Sequence, residues 1–273
     1  MIAFVNAVQV DPVFLATAVE IVLRAGDIQI ARRESGFRVS KKGEIDLVTE
    51  VDLECERMCR AVIAERFPDR DVLAEEGTSV SPSRGSRYRW IFDPVDGTTN
   101  YAHGLPIFCA SLGLEIDGRV QVGAIYDPTR KELFTAEAGE GAFLNGARLR
   151  VSETPAIGDS LLVTGFPYDV HKQTGDLVAM FAAFLGRARA VRRLGSAALD
   201  LCYVAAGRFE GFWEQHLKPW DVAAGALIVE EAGGRVTGMD GAPFDPAAAH
   251  LVASNGHVHA QMLDVIRDVR RNP

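Results

Sequence analysis

Several features that would assign this chain to a large functional class are scarce or missing. No apolar run approaches the roughly 18 residues that a membrane-spanning helix needs, and the N-terminus lacks the charged, apolar and small-residue order of a secretory signal. A membrane partner is therefore not expected, and the expected location is the cytoplasm. There are only four cysteines, Cys55, Cys59, Cys109 and Cys202. None forms a CxxC pair, so buried, reduced thiols are expected rather than a disulfide framework. The six histidines are scattered; the single close pair, His257 and His259, reads as a surface pair near a terminus. No long Lys/Arg run offsets the formal net charge of −8, which leaves no electrostatic grip on nucleic acid. GxSxG elbows and Walker-type GKS or GKT loops are absent, so serine-nucleophile and nucleotide-driven chemistries lack their signatures. An anionic ligand would need local positive charge that this composition does not supply, a first pointer to bound metal.

What is there suffices for a sizeable core. The chain has 273 residues, 48% of them apolar, enough for one large domain or two intimately packed halves. Residues 12 to 33 carry helical periodicity, with Phe14, Ala18, Ile21, Val22 and Ala25 on one face. A basic, glycine-containing loop is expected over 32 to 43, and Thr49 opens a second amphipathic helix toward Phe67. Val72–Ala74 reads as a short strand delivering Glu75 and Glu76, and Tyr88–Phe92 as another ending at Asp93; a polar loop from Ser79 to Arg87 separates them. Arg119–Tyr126 and Glu132–Ala136 pair as an antiparallel hairpin, and Asn145-Gly146 marks a tight turn. A helix over 196 to 206 stops at Gly207, a strand spans Phe209–Trp213, and a final core helix runs from Trp220 to Ala232 before Gly233-Gly234. The mixture predicts an α+β layered protein with a subdomain boundary near 145 to 155, giving an N-terminal subdomain over residues 1–148 and a C-terminal subdomain over residues 149–273.

The segment from Asp93 to Asn100, DPVDGTTN, carries the most chemistry. Pro94 stiffens the chain, and Gly97 permits close approach or positive φ. The N–H groups of Gly97, Thr98 and Thr99 can then open a short helix whose N-terminus accepts an anion. Asp93 and Asp96, three apart around a turn, can share a cation beside that anion; Asp96 reads equally as a turn or N-cap residue. Further acidic residues have the same double reading. Thr49 and Asp52 resemble a capping box, Asp221 suits the first turn of its helix, Glu75 and Glu76 can be solvated, and Asp46 flanks a helix start. Gathered in one pocket these carboxylates would repel, since two charges about 4 Å apart cost about 4 kcal/mol at an effective dielectric near 20. Such a pocket needs cations. Oxygen donors without histidine or cysteine suit Mg²⁺, or Mn²⁺ as a substitute, rather than zinc, and a metal-activated water is the nucleophile that remains.

Asp46-Leu47-Val48-Thr49-Glu50-Val51-Asp52, Glu75-Glu76, the run Trp90 to Asn100 and Trp220-Asp221-Val222-Ala223-Ala224-Gly225 together resemble the inositol monophosphatase family. Gly195-Ser196-Ala197-Ala198 and Glu231-Ala232-Gly233-Gly234 extend the resemblance over nearly the whole chain. It implies a layered αβαβα sugar-phosphatase fold, usually homodimeric, in which residues 1–148 carry most metal ligands and 149–273 carry the substrate contacts and Asp221, as one compact catalytic unit. By position, Glu75, Asp93 and the Val95 carbonyl resemble ligands of a first Mg²⁺; Asp93, Asp96 and Asp221 resemble those of a second. A weaker third ion would lean on Glu75. Thr98, helped by Glu75 and Asp52, would orient the attacking water, and the Gly97 and Thr98 amides would hold phosphate. Gly195, Ser196, Ala197, Glu214 and Asp221 resemble the family's contacts to a polyol. Ser196 stands where animal members have Thr, and Arg192, Arg193 and Lys218 add positive charge that could meet a second phosphate, a dimer partner or solvent. The implied activity is Mg²⁺-dependent, lithium-sensitive hydrolysis of a small phosphorylated polyol such as inositol 1-phosphate. Fructose 1,6-bisphosphate, histidinol phosphate and 3′-phosphonucleotides are alternative substrates, and a regulatory binding protein retaining the fold is the alternative class.

Overall fold

The computed structural model describes residues 11–41, 47–77, 86–167, 170–172, 174–248 and 250–271. Helix α1 (Pro12–Ser35) starts at Asp11, whose side chain accepts from Val13 N–H, with Pro12 in the first turn; it ends where Gly36, at φ 87°, closes on Arg32 O. These are the expected start and stop devices. Strands β1 (Val39–Lys41) and β2 (Leu47–Thr49) pair antiparallel, so the expected 32 to 43 loop holds a short strand: three ladder positions outweigh a composition that reads as loop. Thr49 then caps α2 (Glu50–Arg66) in a full capping box with Asp52. Asp46 and most of the expected Ser79–Arg87 loop lie outside the described residues.

Next come β3 (Asp71–Ala74), β4 (Tyr88–Asp96), α3 (Thr98–Ala102), β5 (Cys109–Ile116), β6 (Arg119–Asp127), β7 (Glu132–Glu137), β8 (Gly141–Leu144) and β9 (Ala147–Arg148). The strands form a seven-stranded sheet in the order β3 to β9, antiparallel except for the parallel pair β3–β4. The expected hairpin is β6–β7, and Asn145-Gly146, with φ of 50° and 81°, makes the turn between β8 and β9. The second half adds β10 (Leu161–Thr164), α4 (Thr174–Leu185), β11 (Ala190–Arg192), α5 (Ala197–Ala205), β12 (Gly211–Gln215), α6 (Pro219–Glu231), β13 (Arg235–Thr237), β14 (His250–Ser254) and α7 (His259–Arg271). Its five strands form a sheet ordered β11-β10-β12-β14-β13.

Two expectations need correction. The strand expected at Phe209–Trp213 lies two residues later, because Glu210 turns inward to hold Leu161 N–H at 2.6 Å and pairing starts at Gly211. The helix expected to be the last is followed by α7, which closes the outer face of the small sheet.

The elements stack as five layers, αβαβα. Helices α1 and α2 cover one face of the large sheet through a core that includes Phe14, Trp90, Phe92 and Leu112. Helices α5 and α6 lie between the sheets in a core shared with Phe134, Phe212 and Leu251, and α4 and α7 cover the far face around Phe184, Trp213 and Met262. Strand alternation then aims the functional side chains. Trp90 and Phe92 face α1–α2, so Asp93 faces the middle layer. Trp213 stacks on Phe184 in the outer layer, so Glu214 faces inward with Phe212. Among the described residues no helix is long and apolar enough to cross a membrane.

Candidate active site

One cavity of about 270 Å³ opens where the ends of β4, α5, β12 and α6 meet, near the lower limit of ligand pockets, about 300–1,000 Å³. Its acidic wall begins in β4. The sequence pattern ends this strand at Asp93, but pairing with β5 resumes at Asp96 opposite Cys109 after a register shift. Pro94 has no N–H for the ladder, so the chain bulges there, the usual way a strand re-aims a side chain. The bulge is held locally: Asp93 Oδ1 accepts from Val95 N–H at 3.0 Å, Thr98 Oγ1 donates to Val95 O at 2.9 Å, and buried Gln29 of α1 donates to Pro94 O at 2.8 Å. Gly97 then caps the five-residue α3 at φ 96°, where a Cβ would meet Ile107 O at 2.9 Å and Gly195 O at 3.2 Å. Only glycine serves this position. Asn100 clasps the opposite loop, donating to Ile107 O at 2.9 Å and Leu194 O at 2.8 Å.

Asp96 does cap a helix, though not the nearest one. Its Oδ2 accepts from Ser196 Oγ and Ala198 N–H, both at 2.7 Å, at the start of α5. Asp221, in the first turn of α6, accepts from Lys218 N–H at 2.6 Å, so its structural reading is also correct. What brings it to the cavity is small-residue packing along α6. A Cβ on Gly123 of β6 would meet Ala224 O at 2.9 Å, one on Gly113 of β5 would touch Ala223 at 3.4 Å, and one on Gly225 would meet Leu201 of α5 at 2.6 Å. The Val-Ala-Ala-Gly run after Asp221 therefore lets α6 lie close on the sheet. Glu75 lines the cavity beside these aspartates. Asp52 is fully buried behind the lining, with Thr49 N–H and O–H on its Oδ2, and one oxygen each of Asp52, Glu75 and Glu76 lie within 4.8 Å of one another.

The remaining lining includes the residues expected to contact a polyol: Gly195, Ser196, Ala197 and Glu214. Arg193 and Lys218 stand on the rim, while the exposed Arg192 is not part of the lining. Sequence reasoning missed Gly165, Phe166, Pro167, His216 and Leu217, which also line it. None of the Gly-Phe-Pro residues bears titratable chemistry, so composition offered no signal. His216 takes φ 63°, unusual for a non-glycine residue. The surface reading of His259 is corrected: it is wholly buried, its ring nitrogens 2.9 Å from Thr237 Oγ1 and Ser254 Oγ, and burial lowers its pKa to about 4. All four cysteines are buried and free, as expected.

Burial, then Glu75, Asp96 and Asp221, push the Asp93 carboxyl well above its ordinary range. Burial also raises Asp96 against the opposing hydrogen bonds from Ser196 and Ala198, and raises Asp221 against the Lys218 N–H. Glu214 is pushed up to about 8 by burial, with Arg193 pulling the other way. Below it, Asp200 of α5 is wholly buried, neither carboxylate oxygen meets a protein donor among the described residues, and burial and Glu214 raise its pKa strongly. Glu75, Asp93, Asp96 and Asp221 line one cavity, and this all-oxygen donor set fits a hard divalent cation such as Mg²⁺.

Comparison with known proteins agrees with this geometry. The model of the inositol monophosphatase family matches residues 10–271. The chain is 40% identical over 256 residues to an inositol-1-monophosphatase of Rhizobium meliloti (strain 1021), covering 93% of this chain and 96% of that protein. It is 42% identical over 256 residues to the Nus factor SuhB of Haemophilus influenzae, covering 93% and 95%. Among solved structures, the inositol monophosphatase of Anabaena superposes with a TM-score of 0.85 at 40% identity over 94% of this chain and 96% of that one. An IMPase/NADP phosphatase complexed with Mg²⁺ and phosphate gives 0.78 at 26% identity over 89% and 91%. A five-layer fold, an oxygen-lined cavity and a match over nearly the full length agree: the chain belongs to the inositol monophosphatase family.

Proposed function

We propose that the chain is a Mg²⁺-dependent phosphatase that hydrolyses a small phosphorylated polyol, inositol 1-phosphate foremost, to the free polyol and phosphate. The observation that carries this reading is the convergence of Glu75, Asp93, Asp96 and Asp221 on one cavity whose other side bears Glu214. Glu75, Asp93 and the Val95 carbonyl would hold one Mg²⁺, Asp93, Asp96 and Asp221 a second, and Glu75 a weaker third. Bound Mg²⁺ supplies Lewis-acid neutralisation of phosphoryl and leaving-group charge and makes water a nucleophile near neutral pH.

The chain's own residues do the rest. Thr98 donates its hydroxyl hydrogen bond to Val95 O, which leaves its oxygen lone pairs to accept a hydrogen bond from water and so orient the nucleophile. Glu75 takes the one proton that the water gives up as it attacks, and Asp52 acts at one remove by fixing the start of α2. The Gly97 and Thr98 amides hold the phosphate, and Gly195, Ser196 and Ala197 line the side where the leaving group sits. Glu214 and Asp221 accept hydrogen bonds from vicinal hydroxyls, a pairing that favours a polyol and disfavours a second phosphate. The halves 1–148 and 149–273 work as one unit because Asp221 comes from the second half. Family likeness further supports a cytoplasmic homodimer inhibited by Li⁺ at a metal position.

The test is a panel of inositol 1-phosphate, fructose 1,6-bisphosphate, histidinol phosphate and a 3′-phosphonucleotide compared by kcat/KM with Mg²⁺. Preference for inositol 1-phosphate supports the reading; preference for another ester reassigns the substrate and keeps the metal site. A second reading, a binding role beside turnover, is favoured by the likeness to the Haemophilus Nus factor SuhB. If D96N abolished turnover and left the cellular phenotype intact, the second reading would stand.

A further inference from the structure

Gly165 follows directly on β10, which pairs in parallel with β12 so that Thr164 lies opposite Trp213. It is therefore the neighbour of Glu214 across the ladder. A Cβ built on Gly165 would overlap Glu214 Oε1, Oε2 and Cδ together. The whole carboxyl group thus occupies the space that any side chain at 165 would need. The backbone at this position does not require glycine, since Gly165 is not among the residues with positive φ. Its missing side chain serves to make room.

We propose that Gly165 is the specificity-determining position of the pocket, a positioning residue whose bare backbone seats the Glu214 carboxylate where a polyol leaving group arrives. The inference rests on the polyol-phosphatase reading and deepens it. A methyl group at 165 meets only the flexible end of a side chain, so the fold accommodates it by moving the carboxylate. Glu214 is 9% exposed and has little freedom. Asp200 of α5 is its buried acidic neighbour, and Asp96 and Arg193 line the same cavity. Displacement from this seat withdraws the acceptor from the substrate's hydroxyls and leaves the phosphate end of the cavity in place. Substitution at 165 thereby shifts preference from hydroxyl-rich leaving groups toward plain ones without touching a metal ligand.

The experiment compares wild type, G165A, E214A and the double variant, each with Mg²⁺, on inositol 1-phosphate and on phenyl phosphate, a monoester without aliphatic hydroxyls. The quantity read is the ratio of the two kcat/KM values. G165A is expected to lower this ratio roughly tenfold or more, chiefly through KM for inositol 1-phosphate, the scale set by losing a charged hydrogen bond. In the E214A background the same substitution should change the ratio less than about twofold, because the group it acts through is gone. Any fall in Tm caused by G165A should likewise disappear beside E214A, which relieves the overlap. An unchanged ratio in G165A, or an equal loss in both backgrounds, overturns the inference alone. A wild-type protein that cleaves phenyl phosphate and not inositol 1-phosphate overturns the polyol reading and this inference with it.

Discussion

The cavity's two walls hold their carboxylates by different means. On the acidic wall each aspartate is tied to backbone: Asp93 to Val95 N–H, Asp96 to Ala198 N–H and Asp221 to Lys218 N–H. On the opposite wall Glu214 rests over the bare backbone of Gly165, with Arg193 on the rim as its oppositely charged neighbour. Ligands held by main chain are pre-organised, which suits a metal site that tolerates little misplacement. A carboxylate seated by the absence of a neighbour's side chain can be retuned by one substitution. On the proposed reading, chemistry and specificity have separate structural bases, although their atoms share one cavity.

Breaking the acidic wall should cost most. D93N should cut kcat/KM roughly a thousandfold or more, as expected when several kcal/mol of metal-derived stabilisation is lost. The same change removes a carboxyl whose pKa is raised on folding, a cost to the folded state near pH 7, so metal-free D93N should unfold at a higher Tm than metal-free wild type. A small loss of activity would mean that Asp93 is not a ligand.

The support beneath that wall comes next. G123A pushes Ala224 O away from β6 and lifts the helix that carries Asp221; a cost of about 1–3 kcal/mol in chemical unfolding is expected, the usual scale of overpacking, with reduced Mg²⁺ affinity. Unaltered stability would show that the close approach of α6 is incidental. On the other wall, E214A should raise KM for inositol 1-phosphate about 10- to 100-fold and alter kcat less, since a charged hydrogen bond contributes about 1.5–3 kcal/mol. Equal falls in kcat and kcat/KM would move Glu214 into the chemical step.

Milder consequences concern pH and stability. Asp200 has its pKa raised on folding, so the folded state binds the extra proton; stability is complete below the unfolded value near 3.8 and falls as pH rises toward the folded value. D200N removes that loss and should raise Tm by a few degrees at about pH 8 relative to wild type, a gap that narrows as pH falls. His259 has its pKa lowered from 6.5 to about 4, so the unfolded chain binds the extra proton between those values. Stability from this group is full above 6.5 and declines as pH falls toward about 4, a limb that should be missing in H259N.

The acidic wall is largely legible in the sequence because its residues sit in short, locally determined devices. Asp-Pro-Val-Asp-Gly is a bulge and turn, Thr49–Asp52 is a capping box, and Pro219-Trp220-Asp221 is a helix start, each decided by neighbours within a few positions. The double reading of Asp96 and Asp221 has no single winner: both cap backbone with one oxygen and face the cavity as well. The opposite wall is less legible because Gly165, Arg193 and Glu214 lie on separate segments of the smaller sheet and its connections, and pairing of β10 with β12 depends on contacts remote in sequence. His259 escapes a local reading for the same reason: α7, which buries it against Thr237 and Ser254, follows a run with few chemical markers. The strand shift at Phe209 turns on Glu210 bonding to Leu161, nearly fifty residues earlier.

Whether Asp93, Asp96 and Asp221 form a cation site is decided by calorimetric titration of Mg²⁺ into wild type and D93N. The expected result is saturable binding by wild type at pH 7 with proton release, visible as a buffer-dependent heat, because burial and mutual repulsion keep protons on these carboxyls until a cation arrives. D93N should bind much more weakly. Mg²⁺ binding by D93N equal to wild type, or no binding by wild type, would contradict the assignment.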